Sequence, residues 1–303
     1  MTTPQTFGPR TRADDVLAGR SLTGQRIVVT GANIGIGYDT ARALAAAGAE
    51  LVLACRDTVR GNEALHRILA AHPGAQARCL PLDLGSLASI ERFCAAMPEG
   101  PLHGIVCNAG LIAPDYAETA EGLERTVGVC HFGHFALVQR LLPRLLAAGK
   151  PRVVMVASES HRQPRQLDFE AFPLCRENYF AMKAYGQAKL CNVLMAAELQ
   201  RRHGAAGLTA CSLHPGTMVT TNIGSESLLV RAVMRLVSPF TKDCAQGAAT
   251  SVWALVHEPA SDIAGQYLRD CRVGRASREG EDPAPARRLW ELSERWLAEH
   301  ARG

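Results

Sequence analysis

The chain has 303 residues, of which 47% are hydrophobic, 20% charged and only 5% aromatic. This composition is typical of a soluble globular protein and excludes an intrinsically disordered or collagen-like chain. Lysine and arginine number 33 against 29 aspartate and glutamate, and the charges are interspersed along the chain. A mixed surface with a net charge of +4 does not favour nucleic-acid binding, so we expect no nucleic-acid partner.

The ten cysteines lie mostly within apolar runs, and no two of them form a Cys-x-x-Cys pair. We therefore expect neither a zinc site nor a disulfide framework. The first fifteen residues lack the apolar stretch of a signal peptide, and no window reaches the roughly 18 uncharged apolar residues of a membrane-spanning helix. These features predict a cytoplasmic protein without a membrane span.

Short β-branched or aliphatic runs alternate with segments of helical periodicity. The runs that predict strands are 27–30, 51–54, 77–82, 104–107, 152–157, 208–213 and 266–268. The segments that predict helices are 36–47, 58–71, 87–97, 120–148, 183–203, 243–257 and 284–300. Strands alternating with helices form parallel sheets that are covered on both faces. We predict an α/β fold with one domain over residues 1–303, a Rossmann-type doubly wound parallel sheet of about seven strands.

Three segments lie outside this alternation. Residues 1–24 form an N-terminal extension. Segments 159–182 and 221–242 are long connections at the carboxyl ends of predicted strands, where open α/β sheets bind ligands. We interpret both as substrate loops for a lipophilic molecule, because they carry Phe169, Phe172, Tyr179, Phe180, Leu228, Leu229 and Met234. For residues 227–237, an amphipathic helix packed on the core is the alternative.

A glycine-rich turn follows the first predicted strand and precedes a predicted helix. Its sequence, TGANIGIG, spans residues 30–37. Glycines permit a sharp turn and a close approach of pyrophosphate to backbone N–H groups at the positive end of the helix. The turn predicts a dinucleotide site, although its spacing differs from G-x-G-x-x-G and a plain glycine-rich turn is the alternative. The predicted cofactor-binding residues are Gly31, Asn33, Ile34, Gly35, Ile36 and Gly37.

Arg56 stands at the end of the second predicted strand, where NAD-binding folds place an acidic residue. With Arg60 one turn further on, the position suits the 2′-phosphate of NADP better than the 2′-hydroxyl of NAD. We therefore predict NADP(H) as the cofactor. The neighbouring Asp57 is the residue that would favour NAD, and a plain surface arginine is the other alternative.

Tyr185 and Lys189 are four residues apart on a predicted helix and so share one face. A phenol is a weak acid–base catalyst at neutral pH, and a nearby ammonium group stabilises its phenolate form. Ser158, at the end of the fifth predicted strand, is placed to hydrogen-bond a substrate oxygen. These three residues are the predicted catalytic set.

The motifs together resemble the short-chain dehydrogenase/reductase family over nearly the full chain. TGANIGIG resembles the family's cofactor loop and YGQAK its catalytic motif, while LACRD, CHFGHF and LHPGTM resemble the retinol-dehydrogenase-like branch. The resemblance implies that the N-terminal extension, residues 1–24, packs on the sheet. It implies a homodimer built from helices 120–148 and 183–203, whose spare apolar residues include Leu141, Leu142, Leu145, Leu194 and Met195. It also implies cofactor contacts at Asp83, Leu84, Asn108, Ala109, Gly110, Tyr185, Lys189, Pro215, Gly216, Met218 and Thr220.

Cys130 departs from the branch, which has an asparagine at this position that helps to hold a water in a proton relay. A thiol is a weak donor and a weak acceptor, so the main-chain carbonyl at position 130 would have to hold that water. The alternative is a lineage with altered chemistry. His131 and His134 have no further ligands spaced around them, so we interpret them as structural and expect no metal.

The resemblance and the site residues predict an NADP(H)-dependent alcohol dehydrogenase or carbonyl reductase. Tyr185 would exchange the proton, Lys189 would assist it and contact the nicotinamide ribose, and Ser158 would fix the carbonyl. The expected substrate is a lipophilic aldehyde, ketone or alcohol. Two alternatives stay open: a ketoreductase of secondary metabolism, and a nucleotide-binding regulatory or interaction protein with little turnover.

Overall fold

The computed structural model describes residues 7–216 and 242–300. The strands are β1 (Arg26–Thr30), β2 (Glu50–Cys55), β3 (Gln76–Pro81), β4 (Gly104–Cys107), β5 (Arg152–Val156), β6 (Thr209–His214), β7 (Tyr267–Arg269) and β8 (Arg272–Val273). The helices are α1 (Ala13–Leu17), α2 (Gly35–Ala46), α3 (Thr58–Ala71), α4 (Leu87–Ala96), α5 (Arg125–Val127), α6 (Gly133–Leu146), α7 (Ala181–His203), α8 (Cys244–Val256), α9 (Arg278–Glu281) and α10 (Pro283–His300). None of these helices has the length and apolar character needed to cross a bilayer.

The strands form one sheet in the order β3-β2-β1-β4-β5-β6-β7-β8. All neighbouring strands are parallel except β7 and β8, which are antiparallel. The doubly wound α/β fold is thereby confirmed, with eight strands in place of about seven. Strand β8 escaped prediction because two residues are too few to show a pattern. The strand order reverses between β1 and β4, and the carboxyl ends of these strands flank the crevice where such folds bind ligands.

Two hydrophobic cores lie on opposite faces of the sheet. Val28, Val52 and Ile105 point to the face covered by α4, α6, α7 and α10. Their strand neighbours Ile27 and Leu51 point to the face covered by α1, α2, α3 and α8. Because both faces are buried, the strands appear in the sequence as continuous apolar runs without polar alternation.

The N-terminal segment packs against the second of these cores. Ala13, Val16, Leu17 and Leu22 are buried there, and α1 contacts α8 and α2.

The C-terminal helix α10 covers α6 and α7. Trp290 packs on Phe135 and Trp296 on Phe132, each pair with ring centroids 5.0 Å apart. Four of the five apolar residues assigned above to a dimer interface are buried in the core on this face of the sheet, and the fifth, Leu142, is half-buried. The argument for a homodimer from spare apolar surface does not hold, and the homodimer stays a prediction that rests on the family resemblance.

The helix predicted over 120–148 begins later and is interrupted. Glu118 and Glu124 form a β-bridge, and the Glu124 carboxylate accepts from the N–H groups of Thr126 and Val127 at 2.7 and 2.9 Å, which starts α5 at Arg125. A π-helical turn, Gly128–Phe132, then separates α5 from α6. Apolar periodicity does not reveal such an insertion, because the flanking residues keep their helical spacing.

The structure describes all of one predicted substrate loop and only the last residue of the other. Segment 159–182 contains the 3₁₀ turns Glu159–Arg162 and Arg176–Asn178, and Phe172 is buried in the core, with Phe169 packed beside it. Phe172 is therefore a core residue and is not on the wall of a site. Segment 221–242 lies outside the described residues except for Lys242, and so do Met218 and Thr220.

Candidate active site

A cavity of about 730 Å³ opens at the carboxyl ends of β1, β2, β4, β5 and β6. Ser158, Tyr185 and Lys189 line it together with the glycine-rich turn. The other residues that the sequence analysis assigned to cofactor binding within the described ranges also line it: Arg56, Asp83, Leu84, Asn108, Ala109, Gly110, Pro215 and Gly216. The structure thus brings the whole described set to one place. Cys130 is not among the residues that line the cavity.

The glycine-rich turn forms a tight cradle at the start of α2. Gly31 and Gly35 have positive φ angles of 65° and 59°, which disfavour other residues. A Cβ atom on Gly37 would overlap the carbonyl oxygen of Gly31, so this glycine allows the helix to approach the turn. The Asn108 amide donates to the carbonyl of Thr30 at 2.8 Å and ties the turn to the end of β4. The N-terminus of α2 faces the cavity, and this cradle fits a pyrophosphate.

Arg56 lies at the far end of the cavity from the catalytic residues and is exposed. It forms no ion pair with the described part of the chain. Asp57, in contrast, caps α3 by accepting from the Arg60 N–H at 3.0 Å, and its other oxygen lies 3.4 Å from Arg60 Nε. The carboxylate that would favour NAD is therefore engaged, while the Arg56 guanidinium is free to bind a phosphate.

Arg67 is a residue at this end that the sequence analysis missed. Its guanidinium carbon lies 4.3 Å from the ring centroid of Tyr38, and Nη2 donates to the carbonyl of Asn33 at 3.4 Å. It thereby holds the outer rim of the cradle. Arg67 is seven residues after Arg60 and on the same helical face, a spacing that could have revealed it.

The predicted catalytic residues are held by main-chain contacts. Lys189 is only 4% exposed; its Nζ donates to the carbonyl of Val156 at 2.9 Å and lies 5.5 Å from the ring centroid of Tyr185. Ser158 caps the 3₁₀ turn that follows β5, and its Oγ accepts from the Ser160 N–H at 3.2 Å. That turn packs directly on Gly186, where a Cβ atom would be 3.2 Å from the Ser160 carbonyl oxygen. Glycine beside Tyr185 thus lets the end of β5 approach α7.

A buried hydrogen-bond chain joins the cradle to the π-helical turn. Nδ1 of His134 lies 3.0 Å from the carbonyl oxygen of Cys130, which can only accept, so Nδ1 carries the proton. Burial lowers the pKa of His134 to about 4, so the ring is neutral and Nε2 accepts from the Thr30 hydroxyl at 2.9 Å. The same hydroxyl oxygen accepts from the N–H groups of Asn108 and Ala109, both at 2.9 Å. The sequence analysis did not predict these hydrogen bonds of Thr30 and His134.

Cys130 is fully buried in the π-helical turn, next to the catalytic lysine. A Cβ atom on Gly110 would be 3.3 Å from Lys189 Nζ and 3.4 Å from Cys130 Sγ, so both groups lie against that glycine. The thiol donates to the Leu111 carbonyl at 3.8 Å, and burial raises the pKa of the Cys130 thiol. Its main-chain carbonyl keeps a second lone pair beyond the bond from His134, which can hold a water.

His131 belongs to the core and not to the cavity. Ser293 Oγ donates to the Leu289 carbonyl at 2.8 Å, so His131 Nε2 donates to Ser293 at 2.9 Å. Burial lowers the pKa of His131 to about 3. Across residues 7–216 and 242–300, no group of three or more His, Cys, Asp or Glu side chains is arranged to hold a metal ion.

His214 also lines the cavity, at the end of β6, and was missed as well. Its Nδ1 accepts from the Glu159 N–H at 3.3 Å, and burial lowers its pKa to about 4. A polar residue at the end of a predicted strand, directly before Pro215, was the signal that could have found it.

Comparisons with known proteins identify the family of the chain. Residues 25–169 match the family model for short chain dehydrogenase. The chain is 40% identical to the WW domain-containing oxidoreductase of Danio rerio, covering 98% of this chain and 74% of that protein, and 38% identical to retinol dehydrogenase 12 of Mus musculus, covering 90% and 86%. A crystal structure of an uncharacterized protein from Mycobacterium paratuberculosis is 33% identical and superposes with a TM-score of 0.73 over 92% of this chain and 95% of that one. The chain therefore belongs to the short-chain dehydrogenase/reductase family of oxidoreductases, as its motifs predicted.

Proposed function

We propose that this oxidoreductase uses NADP(H) to interconvert a lipophilic aldehyde or ketone and its alcohol. The observation that carries the proposal is the meeting of Ser158, Tyr185 and Lys189 in one cavity with the glycine-rich cradle. When bound, the nicotinamide cofactor supplies or accepts the hydride at the carbonyl carbon.

Tyr185, Lys189 and Ser158 have separate roles in the rest of the reaction. Tyr185 donates its hydroxyl proton to the carbonyl oxygen during reduction and takes it back during oxidation. The ammonium of Lys189, fixed by Val156, stabilises the phenolate form through its positive charge. The Ser158 hydroxyl, held at the wall by the turn that it caps, hydrogen-bonds the substrate oxygen and orients the carbonyl.

The preference for NADP rests on Arg56. Its guanidinium has no acidic partner in the described residues, whereas Asp57 is occupied by the N-terminus of α3 and by Arg60. A guanidinium binds a phosphate through two parallel hydrogen bonds, so a 2′-phosphate gains a contact that a hydroxyl does not.

Two observations support a lipophilic substrate. Phe180, the N-cap of α7, and Met182, in its first turn, are 64% and 38% exposed, so the start of the helix that carries Tyr185 presents apolar surface. Leu111 and Val129 add apolar surface to the cavity wall. The relative named retinol dehydrogenase 12 bears the name of a long apolar alcohol, which agrees with this class.

A screen of NADPH oxidation tests the proposal. We expect retinal, steroid ketones, medium-chain aldehydes or quinones to be reduced, and sugars to be poor substrates. Higher rates with polyols or sugar phosphates would overturn the substrate class. NADPH binding without turnover of any carbonyl would favour the nucleotide-binding interaction protein.

We also propose a cellular location and an oligomeric state for the protein. The ten cysteines all lie in the described ranges and none of them forms a disulfide, which supports a reducing compartment such as the cytoplasm. A homodimer, as the family resemblance implies, would have to use a face other than the one that α10 covers. Light scattering at micromolar concentration tests this, and a mass near 32.5 kDa would contradict the homodimer.

A further inference from the structure

The turn between β7 and β8 has an unusual backbone. Asp270 and Cys271 both have positive φ angles, 53° and 55°, and Arg269 pairs with Arg272 across them. A two-residue hairpin turn with this conformation normally has asparagine, aspartate or glycine first and glycine second, so Asp270 fits the turn and Cys271 does not. A cysteine in this region is strained, and such strain persists only where the surrounding structure imposes it.

Neighbouring contacts impose this conformation. Cys271 is buried against α8, and its N–H donates to Thr250 Oγ1 at 3.3 Å. Asp270 faces the other way, and its Oδ1 accepts from Lys242 Nζ at 2.5 Å. The side chains of Lys242 and Asp270 are only 14% and 9% exposed. A buried ion pair of this kind is costly to break, because removing one partner leaves the other charge without compensation.

Lys242 connects this pair to the active-site cavity. Gly216 has a φ of 129°, and a Cβ atom there would overlap the aliphatic stem of Lys242. The lysine stem therefore lies directly on the Gly216 backbone, and Gly216 and Pro215 form part of the cavity wall.

The Pro215–Gly216 wall lies beside Ser158, at the end of the cavity where the reaction takes place in the proposed function. The Ala157 N–H donates to the Leu213 carbonyl at 2.8 Å, which places the end of β6 beside the end of β5 and Ser158. Other charged or titratable groups of the described residues at this corner include Arg269, whose Nε is 3.5 Å from Asp270, and His214 and Glu159, which hydrogen-bond to each other. The Glu159 carboxylate also accepts from Arg162 and Tyr267.

We propose that Lys242 and Asp270 form a positioning pair for the oxidoreductase reaction. The pair fixes the Pro215–Gly216 wall next to Ser158, and the strained turn is retained because it places the Asp270 carboxylate against Lys242. This inference rests on the proposed function, in which the reacting ends of cofactor and substrate meet at that wall.

Asp270→Asn tests the pair, with Cys271→Gly as the matched control. Asparagine tolerates positive φ and keeps the shape of aspartate but removes its charge. We expect kcat to fall about tenfold, because small displacements at a reacting centre are costly, while the Kd for NADPH changes by less than about threefold. Cys271→Gly relieves the strain and retains the carboxylate, so its kcat should stay within about twofold of the wild type.

Lys242→Met tests the same pair from its other residue, because methionine keeps an apolar stem over Gly216 without the charge. If the two residues act as one unit, the Lys242→Met/Asp270→Asn double variant loses no more activity than the worse single variant. Additive losses, an unchanged kcat in Asp270→Asn, or an equal loss in Cys271→Gly would each overturn the proposal. Assays run well below the melting temperature of every variant separate positioning from folding.

A readout without turnover separates this proposal from the proposed function. At saturating NADPH, we expect Asp270→Asn to lower the fluorescence anisotropy of the bound nicotinamide, and Cys271→Gly to leave it unchanged. Equal anisotropy in all three proteins would overturn the positioning pair, even if the wild type reduces carbonyls. Lower anisotropy in Asp270→Asn alone would support it, even if the substrate class were wrong.

Discussion

Lys189 donates a hydrogen bond to the carbonyl of Val156 at 2.9 Å, two residues before Ser158 on the same chain segment. The end of β5 therefore positions two residues of the proposed catalytic set: it anchors the Lys189 side chain and carries Ser158. Asn192 donates to the same carbonyl at 3.2 Å, which holds α7 against β5 in a fixed register. Tyr185 is carried on that helix, so the relative placement of all three groups depends on this one contact region.

Removing the Tyr185 hydroxyl tests its role as the acid. We expect Tyr185→Phe to lower kcat about a thousandfold, because general acid catalysis is lost, while the Kd for NADPH changes little. Lys189→Ala should damage both quantities, since the lysine contacts the cofactor ribose in the proposed function. Steady-state rates and nicotinamide fluorescence titrations give the two values. Retained activity in Tyr185→Phe would remove this assignment.

Arg56 should determine the choice between NADPH and NADH. A charge-assisted bond to the 2′-phosphate is worth about 1.5 to 3 kcal/mol, or about 10- to 150-fold in affinity. We expect NADPH to bind more tightly than NADH by this factor, and Arg56→Ala to abolish the difference without weakening NADH. Fluorescence titration of both cofactors measures it. Equal dissociation constants in the wild type would show that Arg56 is a plain surface residue.

Cys130→Asn restores the residue that the branch has at this position. Because the main-chain carbonyl of residue 130 is already oriented by His134, we expect turnover to change by less than about tenfold, or about 1.4 kcal/mol in the barrier. Rates of both proteins between about pH 6 and 9 with the best substrate provide the comparison. A hundredfold gain would show that the missing side chain limits the relay, and no turnover in either protein would favour the non-catalytic alternative.

The buried histidines should make the protein less stable as the pH falls. Burial lowers the pKa of His131 to about 3 and the pKa values of His134 and His214 to about 4, whereas an unfolded histidine titrates near 6.5. Between those values the unfolded chain binds protons that the folded chain excludes, so the free energy of unfolding decreases as pH drops below about 6.5.

Thermal unfolding between about pH 7 and 5 measures this effect in a window above the titration of most carboxylates. The paired Asp14 and Glu198 carboxylates have lowered pKa values and lose their stabilising charge only at lower pH. His131→Gln should give a shallower pH dependence than the wild type, whatever its absolute stability. A melting temperature that is flat across this range would contradict the expectation.

Local patterns in the sequence identified the fold and most of the cavity. Parallel strands covered on both faces need continuous apolar runs, and the turn at residues 30–37 needs glycines. Both features can be recognised because their residues are consecutive in the sequence. Tyr185 and Lys189 are one helical turn apart, a spacing fixed by the helix itself. The carboxyl ends of parallel strands meet at one edge, which is why residues that follow β1, β2 and β5 could be assigned to a single site. The residues that follow β4 and β6 were assigned from the family resemblance.

Only the tertiary structure decided the contacts between distant segments. The bonds that join Thr30, His134 and Cys130, and the pairing of Lys242 with Asp270, depend on buried geometry that no spacing encodes. The packing of α10 on α7, and the burial of Leu141 and Leu194 within one chain, were likewise not encoded in any spacing. Sequence periodicity reports that a face is apolar, because that follows from local helix geometry, but which element covers the face depends on how the whole chain packs.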